Sequence, residues 1–263
     1  MAALAYTRFD QSERAWFEAD TLPGPQDTFL PVPRESLYRD SVPNFALYIR
    51  IGGKLVLYRH KDLPFTRQAR SRLYDNAIDR VYIRVVDVQA YQLYLEENLP
   101  KIMADPEIPV ARKSLVLYSS ASSLVKEVLE DPAKSENIKR SQDLVARTVD
   151  YVLSDGDAIM SLVRLGSHDY RTYTHSVNVC TYALALASRM GIRDEVTLNI
   201  LGLGALLHDV GKSKVYQAIL NKKGPLTAAE WTEIKKHPVW GREILQESVF
   251  VPELSVQIAL QHH

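Results

Sequence analysis

A single cysteine, Cys180, in 263 residues leaves nothing for an intramolecular disulfide to pair with, and this usage suits a reducing compartment. Long apolar runs are missing too. The longest, within VTLNILGLGALL, is too short and too interrupted to cross a bilayer. The opening residues MAALAYTRFDQSER have no extended apolar core, so no secretory signal is expected. Neither sign of charge is in excess: Lys+Arg and Asp+Glu both number 32, which gives no global attraction to DNA or a membrane surface. There is no internal repeat and no low-complexity tract. A cytoplasmic protein with neither membrane nor DNA as partner is the expectation. What is present is an ordinary globular composition, 46% hydrophobic and 24% charged, on a chain long enough for one large domain or two smaller ones.

Pro23, Pro25, Pro31 and Pro33 punctuate the first stretch, which shows no sustained period and is expected to be irregular to about Val42. In FALYIRIGGKLVLYRH, Leu47, Ile49 and Ile51 alternate with polar or aromatic neighbours, and Leu55 and Leu57 resume the alternation after Gly52-Gly53. That predicts a hairpin with a two-residue glycine turn. RQARSRLYDNAID reads as a helix, RVYIRVVDV as a strand and QAYQLYLEENL as a second helix. From Ala111 onward the strand pattern disappears. SLVLYSSASSLVKEVLED, SENIKRSQDLVARTVDYVLSD and DAIMSLVRL are successive amphipathic helices, and more helices follow, broken by Gly191, Gly211, Gly224 and Pro238. The expected fold class is α+β, a small mixed α/β N-terminal module followed by an all-α helical domain. Residues 1–105 would form a regulatory or interaction module, 106–150 a helical connector, and 151–263 the remaining helical domain. The connector could transmit a signal or form a homodimer interface, and plain bundle packing is the simpler reading. The first module could dock a protein partner or simply hold a small core.

Five of the seven histidines fall in the last ninety or so residues. His175 begins YTHSVNVCTYALALASRMG, where His175, Val179, Tyr182 and Leu186 recur at helical spacing and Gly191 is a C-cap. It is expected on the buried side of that helix, where a histidine is more often a hydrogen-bonded core residue than a ligand. In LGLGALLHDVGKSKV an apolar helix runs into His208-Asp209. Neighbours on a helix point about 100° apart, so these two share a site only at a helix end, which Gly211 would supply. An aspartate beside apolar turns is costly unless a cation or hydrogen bonds compensate it, and an imidazole with a carboxylate suits a borderline divalent metal. Thr227 and Glu230 form a capping box. His237 stands before Pro238, where helices tend to end, and alone says little. The chain finishes on a helix, PELSVQIALQHH. His262 continues the face of Leu254 and Ile258, and His263 that of Val256 and Ala259. A pair that grows from a patterned helix is poorly explained as a tag remnant.

Together HSVNV, ALLHDVGK, ILNKKGPLTAAEWTEIKKHPVWGREIL and IALQHH stand in the order and approximate spacing of the HD-GYP family, a branch of the HD-domain metal-dependent phosphohydrolases. The chain resembles that family over roughly Ser135 to His263. The resemblance implies an HD-type helical catalytic domain over residues 151–263, holding two divalent ions, iron or manganese, and hydrolysing the bacterial second messenger cyclic di-GMP to the linear dinucleotide or GMP. It assigns His175, His208 and Asp209 to one metal, and a second metal to His237, His262 and His263, with Asp209 bridging. Lys212 would contact a substrate phosphate. Two close metals can activate a hydroxide and neutralise phosphoryl oxygens, and lysine is a suitable point charge for phosphate. The pattern also departs from the family. Arg171 stands where three-metal members carry a glutamate, which limits the expectation to two ions. The Gly-Tyr-Pro loop and a later helical aspartate do not follow His263. The expectation is therefore a catalytic domain cut short, which holds metal less tightly than a complete member. Alternatives from other classes are a catalytically silent binding domain and an HD phosphohydrolase for another nucleotide.

Overall fold

A computed structural model describes residues 28–166 and 172–263, and the chain divides into two compact units after Ile108. The expectation for residues 1–27 lies outside the described residues.

Among the described residues the first unit is a four-stranded antiparallel sheet with two α-helices. Its elements are β1 (Phe29–Pro33), β2 (Leu47–Ile51), β3 (Lys54–Arg59), α1 (Arg67–Asp75), β4 (Arg80–Arg84) and α2 (Val88–Ala104), with the strands in the order β1-β4-β2-β3. The glycine hairpin forms as the alternation predicts. Ile51 pairs with Lys54 across Gly52 and Gly53, whose φ of 55° and 82° are the left-handed values a tight primed turn requires. The irregular reading of the segment to Val42 is corrected for Phe29–Pro33, which is a strand paired with β4. Its two prolines permit this because β1 is an edge. The Thr28 carbonyl and the Arg34 N–H bond toward β4, so alternate positions Pro31 and Pro33 face the open edge, where a missing N–H costs nothing. β4 is shorter than its sequence pattern. The Val85 N–H to the Thr28 carbonyl is the last rung, and a 3-10 turn over Val85–Asp87 follows.

The core of this unit is Phe45, Leu47, Ile49, Phe65, Leu73, Ile83, Leu95 and Leu99, all buried. The Phe45 ring meets Tyr91 and Tyr94 edge-on at 5.7 and 5.4 Å between centroids. A buried ion pair ties α1 to the end of α2: Arg70 Nη1 donates to Asp105 Oδ2 at 2.8 Å. Burial raises the Asp105 pKa, but the Arg70 hydrogen bond and charge, with the Glu107 N–H, outweigh it and leave the group below its ordinary value.

Among the described residues the second unit is helical, without strands. It contains α3 (Val110–Glu130), α4 (Ser135–Ser154), α5 (Ala158–Gly166), α6 (Thr172–Arg189), α7 (Glu195–Leu207), a 3-10 turn (Val210–Lys214), α8 (Gln217–Leu220), α9 (Ala228–Ile234), α10 (His237–Gln246) and α11 (Glu253–Gln261). The axis is α7. It is apolar nearly all round, with Leu198, Leu203, Leu206 and Leu207 buried, and α4, α6 and α11 pack against it. Asp194 caps its start by accepting the Thr197 N–H. Gly191, at φ 83°, ends α6 with the Ile192 N–H reaching back to the Ala187 carbonyl, as its position in the sequence predicts. The helices expected as a connector do not stand apart: α3 packs on α5 and α6, and α4 on α7, inside the second unit. Among the described residues no helix is long and apolar enough to cross a membrane.

The Arg70–Asp105 pair generates a prediction for the first unit. Asp105→Ala leaves a buried guanidinium without its counter-charge and is expected to cost about 3–5 kcal/mol, read by denaturant unfolding. Because the folded Asp105 pKa is depressed, the pair's contribution is present above the unfolded carboxylate pKa and is lost as pH falls through the folded value. Asp105→Ala should therefore remove part of the acid sensitivity of unfolding.

Candidate metal centre

Helix ends converge on one carboxylate. α7 finishes at Leu207, leaving His208 as its C-cap, and the next residue, Asp209, begins the 3-10 turn. The 3-10 turn packs on α10, whose first residue is His237. α11 also packs on α10 and ends at Gln261, followed by His262 and His263. His175 comes from the first turn of α6. His208, Asp209 and His237 are at most 4% exposed, whereas His175 and His263 are exposed, so the group is buried on one side and open on the other.

Asp209 divides its two oxygens between two sets of rings. Oδ2 lies 3.3 Å from His208 Nε2 and 3.9 Å from His175 Nε2. Oδ1 lies 3.3 Å from His237 Nε2 and 3.8 Å from His262 Nε2. The rings pack edge to edge around it, with 5.3 Å between the centroids of His175 and His208 and 4.1 Å between those of His262 and His263. Two groups could each hold an ion, His175/His208/Asp209 and His237/His262/His263, their ligand atoms within 4.8 Å of one another in each group. All six residues singled out in the sequence as ligands are thus brought together. Lys212 joins them, its Nζ donating to Asp209 Oδ2 at 2.6 Å.

Three of the rings are oriented in the same way. His208 Nδ1 faces the Ala205 carbonyl at 2.7 Å, His237 Nδ1 that of Ile234 at 2.7 Å, and His262 Nδ1 that of Ala259 at 2.8 Å. Each is an N–H donated one turn back, which commits the Nδ1 proton and turns Nε2 toward Asp209. Sequence reasoning missed these acceptors because they are backbone carbonyls, and the residue types at 205, 234 and 259 carry no sign of the role.

The donor set fits a divalent metal on two observations. Asp209 Oδ1 is buried with no hydrogen-bond partner. His237 Nε2 and His262 Nε2 face each other at 3.1 Å, so two lone pairs confront unless a proton or cation lies between. Burial, with His208 and His263 nearby, lowers the His262 pKa to about 4, so this ring is neutral at pH 7 with Nε2 free to ligate. Burial also lowers that of His175. For Asp209, burial raises the pKa, but the close His208 and His237 rings and the charges of His208 and Lys212 hold it well below the usual carboxylate range. Protons on those Nε2 atoms and a metal ion compete for the same place.

Several local expectations are revised. The face His175 shares with Val179, Tyr182 and Leu186 is the open one, with Tyr182 43% and Leu186 62% exposed. The buried face of α6 carries Thr174, Val177, Asn178, Thr181 and Leu184 instead. His175 reaches the centre because it stands at the end of its helix rather than under it. Gly211 does not end α7 through a left-handed conformation. A Cβ there would lie 1.9 Å from the His237 carbonyl oxygen and 2.5 Å from the Gly241 nitrogen. Glycine is required because two backbones touch. Pro238 marks the start of α10 rather than an end, and His237 is buried. On the last helix, His262 is the partly buried residue and His263 the exposed one, because α11 stops at Gln261. Arg171 lies outside the described residues.

Residues 172–263 match the family model described as "HD domain". The chain is similar to a cyclic di-GMP phosphodiesterase, PA4108, of Pseudomonas aeruginosa, 37% identical over 154 residues, which are 58% of this chain and 37% of the relative. It is also similar to 3'3'-cGAMP-specific phosphodiesterase 2 of Vibrio cholerae, 32% identical over 129 residues, 49% of this chain and 23% of the relative. Among solved structures it resembles Bd1817, a HDG"Y"P protein from Bdellovibrio bacteriovorus, with a TM-score of 0.58 and 26% identity over 89% of this chain and 77% of that one. The chain thus spans well under half the length of the two curated relatives.

The shared carboxylate predicts that Asp209→Ala abolishes binding of both metal equivalents, whereas His263→Ala weakens one and spares the other, read by metal analysis after dialysis. Metal affinity should fall as pH is lowered, with protons released on binding, measured by calorimetry in buffers of different ionisation enthalpy. Gly211→Ala should cost at least about 1–3 kcal/mol and lower metal content together with stability, since its Cβ displaces the backbone that carries His237.

Proposed function

Residues 172–263 are an HD domain of the HD-GYP kind, and from that premise we propose that this protein is a metal-dependent phosphodiesterase hydrolysing cyclic di-GMP in bacterial second-messenger signalling. The observation that carries the reading is the division of Asp209 between His175/His208 on one oxygen and His237/His262 on the other. A carboxylate so placed would be shared by two ions, with His175 and His208 completing one ligand set and His237, His262 and His263 the other. Iron or manganese suits this mixture of imidazole and carboxylate. When bound, the ions supply an activated nucleophile and neutralise charge on the phosphoryl oxygens.

The protein's own residues then do the following. The Nδ1 bonds of His208, His237 and His262 hold the rings so that Nε2 atoms face inward without reorganisation. The buried, ionised Asp209 brings a fixed negative charge that opposes the ions. Lys212, 23% exposed at its side chain, sits at the edge of the buried cluster. It would exchange its Asp209 contact for a phosphate oxygen of the substrate and hold that group in position. The open side, where His175 and His263 are exposed, is where substrate would enter. The first unit would act as a regulatory or docking module, with cyclic dinucleotide as the small-molecule partner.

A second substrate reading is favoured by the Vibrio cholerae relative, whose name specifies 3'3'-cGAMP. The two cyclic dinucleotides differ in one base, and the metal cluster acts on the phosphodiester common to both. The deciding experiment is hydrolysis of cyclic di-GMP and of 3'3'-cGAMP by protein loaded with iron or manganese, with products resolved chromatographically. Turnover of cyclic di-GMP at the higher kcat/KM supports the proposal. Preference for 3'3'-cGAMP moves the substrate, and metal binding without hydrolysis of either sinks the enzymatic reading in favour of a silent binding domain. Lys212→Ala is expected to keep its metal and lose on the order of 100-fold in kcat/KM, the scale of removing one charge-stabilising donor.

A further inference from the structure

His175 lies on the open side of the centre, unlike the buried His208 and His237. His208, His237 and His262 are each tied to a carbonyl one turn back. His175 stands on the first turn of α6 with its side chain 52% exposed. Its position depends on where that turn is held.

One residue holds that turn from inside. Asn178 lies three positions after His175, a single turn on, and is 6% exposed. Its side-chain amide donates from Nδ2 to the Gly166 carbonyl at 2.9 Å, at the last residue of α5. Its Oδ1 accepts from the Tyr118 hydroxyl of α3 at 2.7 Å. The two bonds join α3, the end of α5 and the start of α6 at one buried amide. Gly166 is part of the same fit, because a Cβ there would come within 2.5 Å of Asn178 Oδ1. A buried amide with both ends engaged is stiff, since leaving either end unpaired costs the full desolvation of that group.

We propose that Tyr118 and Asn178 are positioning residues that place His175 against Asp209, and so set the affinity of the ion held by His175, His208 and Asp209. The inference rests on the metal reading of the preceding subsection and extends it to residues that touch neither metal nor substrate. It distinguishes the two ions. His237 and His262 have their own carbonyl ties and, with His263, are carried by α10 and the end of α11, so disturbing α6 should leave that group intact.

The test is titration of the metal-free protein with Mn2+, following free Mn2+ by electron paramagnetic resonance, in the wild type and in Tyr118→Phe. The substitution removes only the hydroxyl and leaves Asn178 Oδ1 without that donor. A control variant, Ser114→Ala, breaks another buried hydrogen bond of α3, that between the Ser114 and Tyr151 hydroxyls at 3.1 Å. It thus lowers stability without touching α6. Expected are two Mn2+ equivalents in the wild type, one of them weakened about tenfold or more in Tyr118→Phe, the other within twofold, and both unchanged in Ser114→Ala. Affinities within twofold of wild type in Tyr118→Phe would overturn the assignment. So would equal weakening of both ions, or a loss matched by Ser114→Ala, since either marks general destabilisation. A wild type that takes up no Mn2+ would refute the metal reading and carry this assignment down with it, an outcome distinct from the others because it appears before any substitution is made.

Discussion

A carboxylate with almost no solvent exposure, placed at the end of an apolar helix, is the constraint on which the helical unit depends. Asp209 cannot be left there alone, since burying an ionised group without compensation costs more than most single interactions return. The structure surrounds it with positive or potentially positive groups, four imidazoles and the Lys212 ammonium. That compensation is incomplete for a neutral set of rings, because Oδ1 remains without a hydrogen bond and two histidine nitrogens face each other. The arrangement is satisfied by cations. The fit of the donor set to a metal ion is thus visible in the electrostatics of the protein alone.

Convergence of helix ends is what makes this possible. The middle of a helix offers neighbouring residues on different faces, whereas an end lets consecutive residues such as His208 and Asp209 serve one place. Ends also expose carbonyls that lack intrahelical partners. His208 and His262, at the ends of α7 and α11, and His237, just past α9, use such carbonyls to orient their rings. The site and the termination of the helices are therefore one structural event. Close contact of the 3-10 turn with α10 at Gly211 completes it, holding His237 over Asp209 through backbone packing rather than through any side chain.

Much of this was legible before the fold was known. The glycine hairpin, the helices from Val110 to Gly166, the capping box at Thr227 and Glu230, and the C-cap at Gly191 follow from local rules, and local rules hold when flanking residues decide the conformation. Local rules failed where a distant partner decided. β1 looked irregular for its prolines, yet pairing with β4 at a sheet edge accommodates them. The apolar spacing after His175 pointed to a buried face, yet the neighbours of α6 cover the adjacent face instead, the one that carries Asn178. Gly211 suggested a left-handed cap, and only the position of α10 explains it.

By itself the sequence determined the set of candidate ligand residues, the apolar helix that leads into His208-Asp209, and the change from a mixed module to a helical one, because each is written in residue type and spacing. Tertiary structure alone decided the distances and burial at which that set meets. Residues separated by up to 88 positions meet around one carboxylate, His175 stands at the open rim while His237 is enclosed, and Tyr118 reaches across the bundle to the helix that bears His175. Distances between helix ends depend on packing of whole faces, and no local pattern encodes them. That is why the residue types could be read along the chain and their grouping expected from the family resemblance, while the distances to the two oxygens of Asp209 came only from the fold.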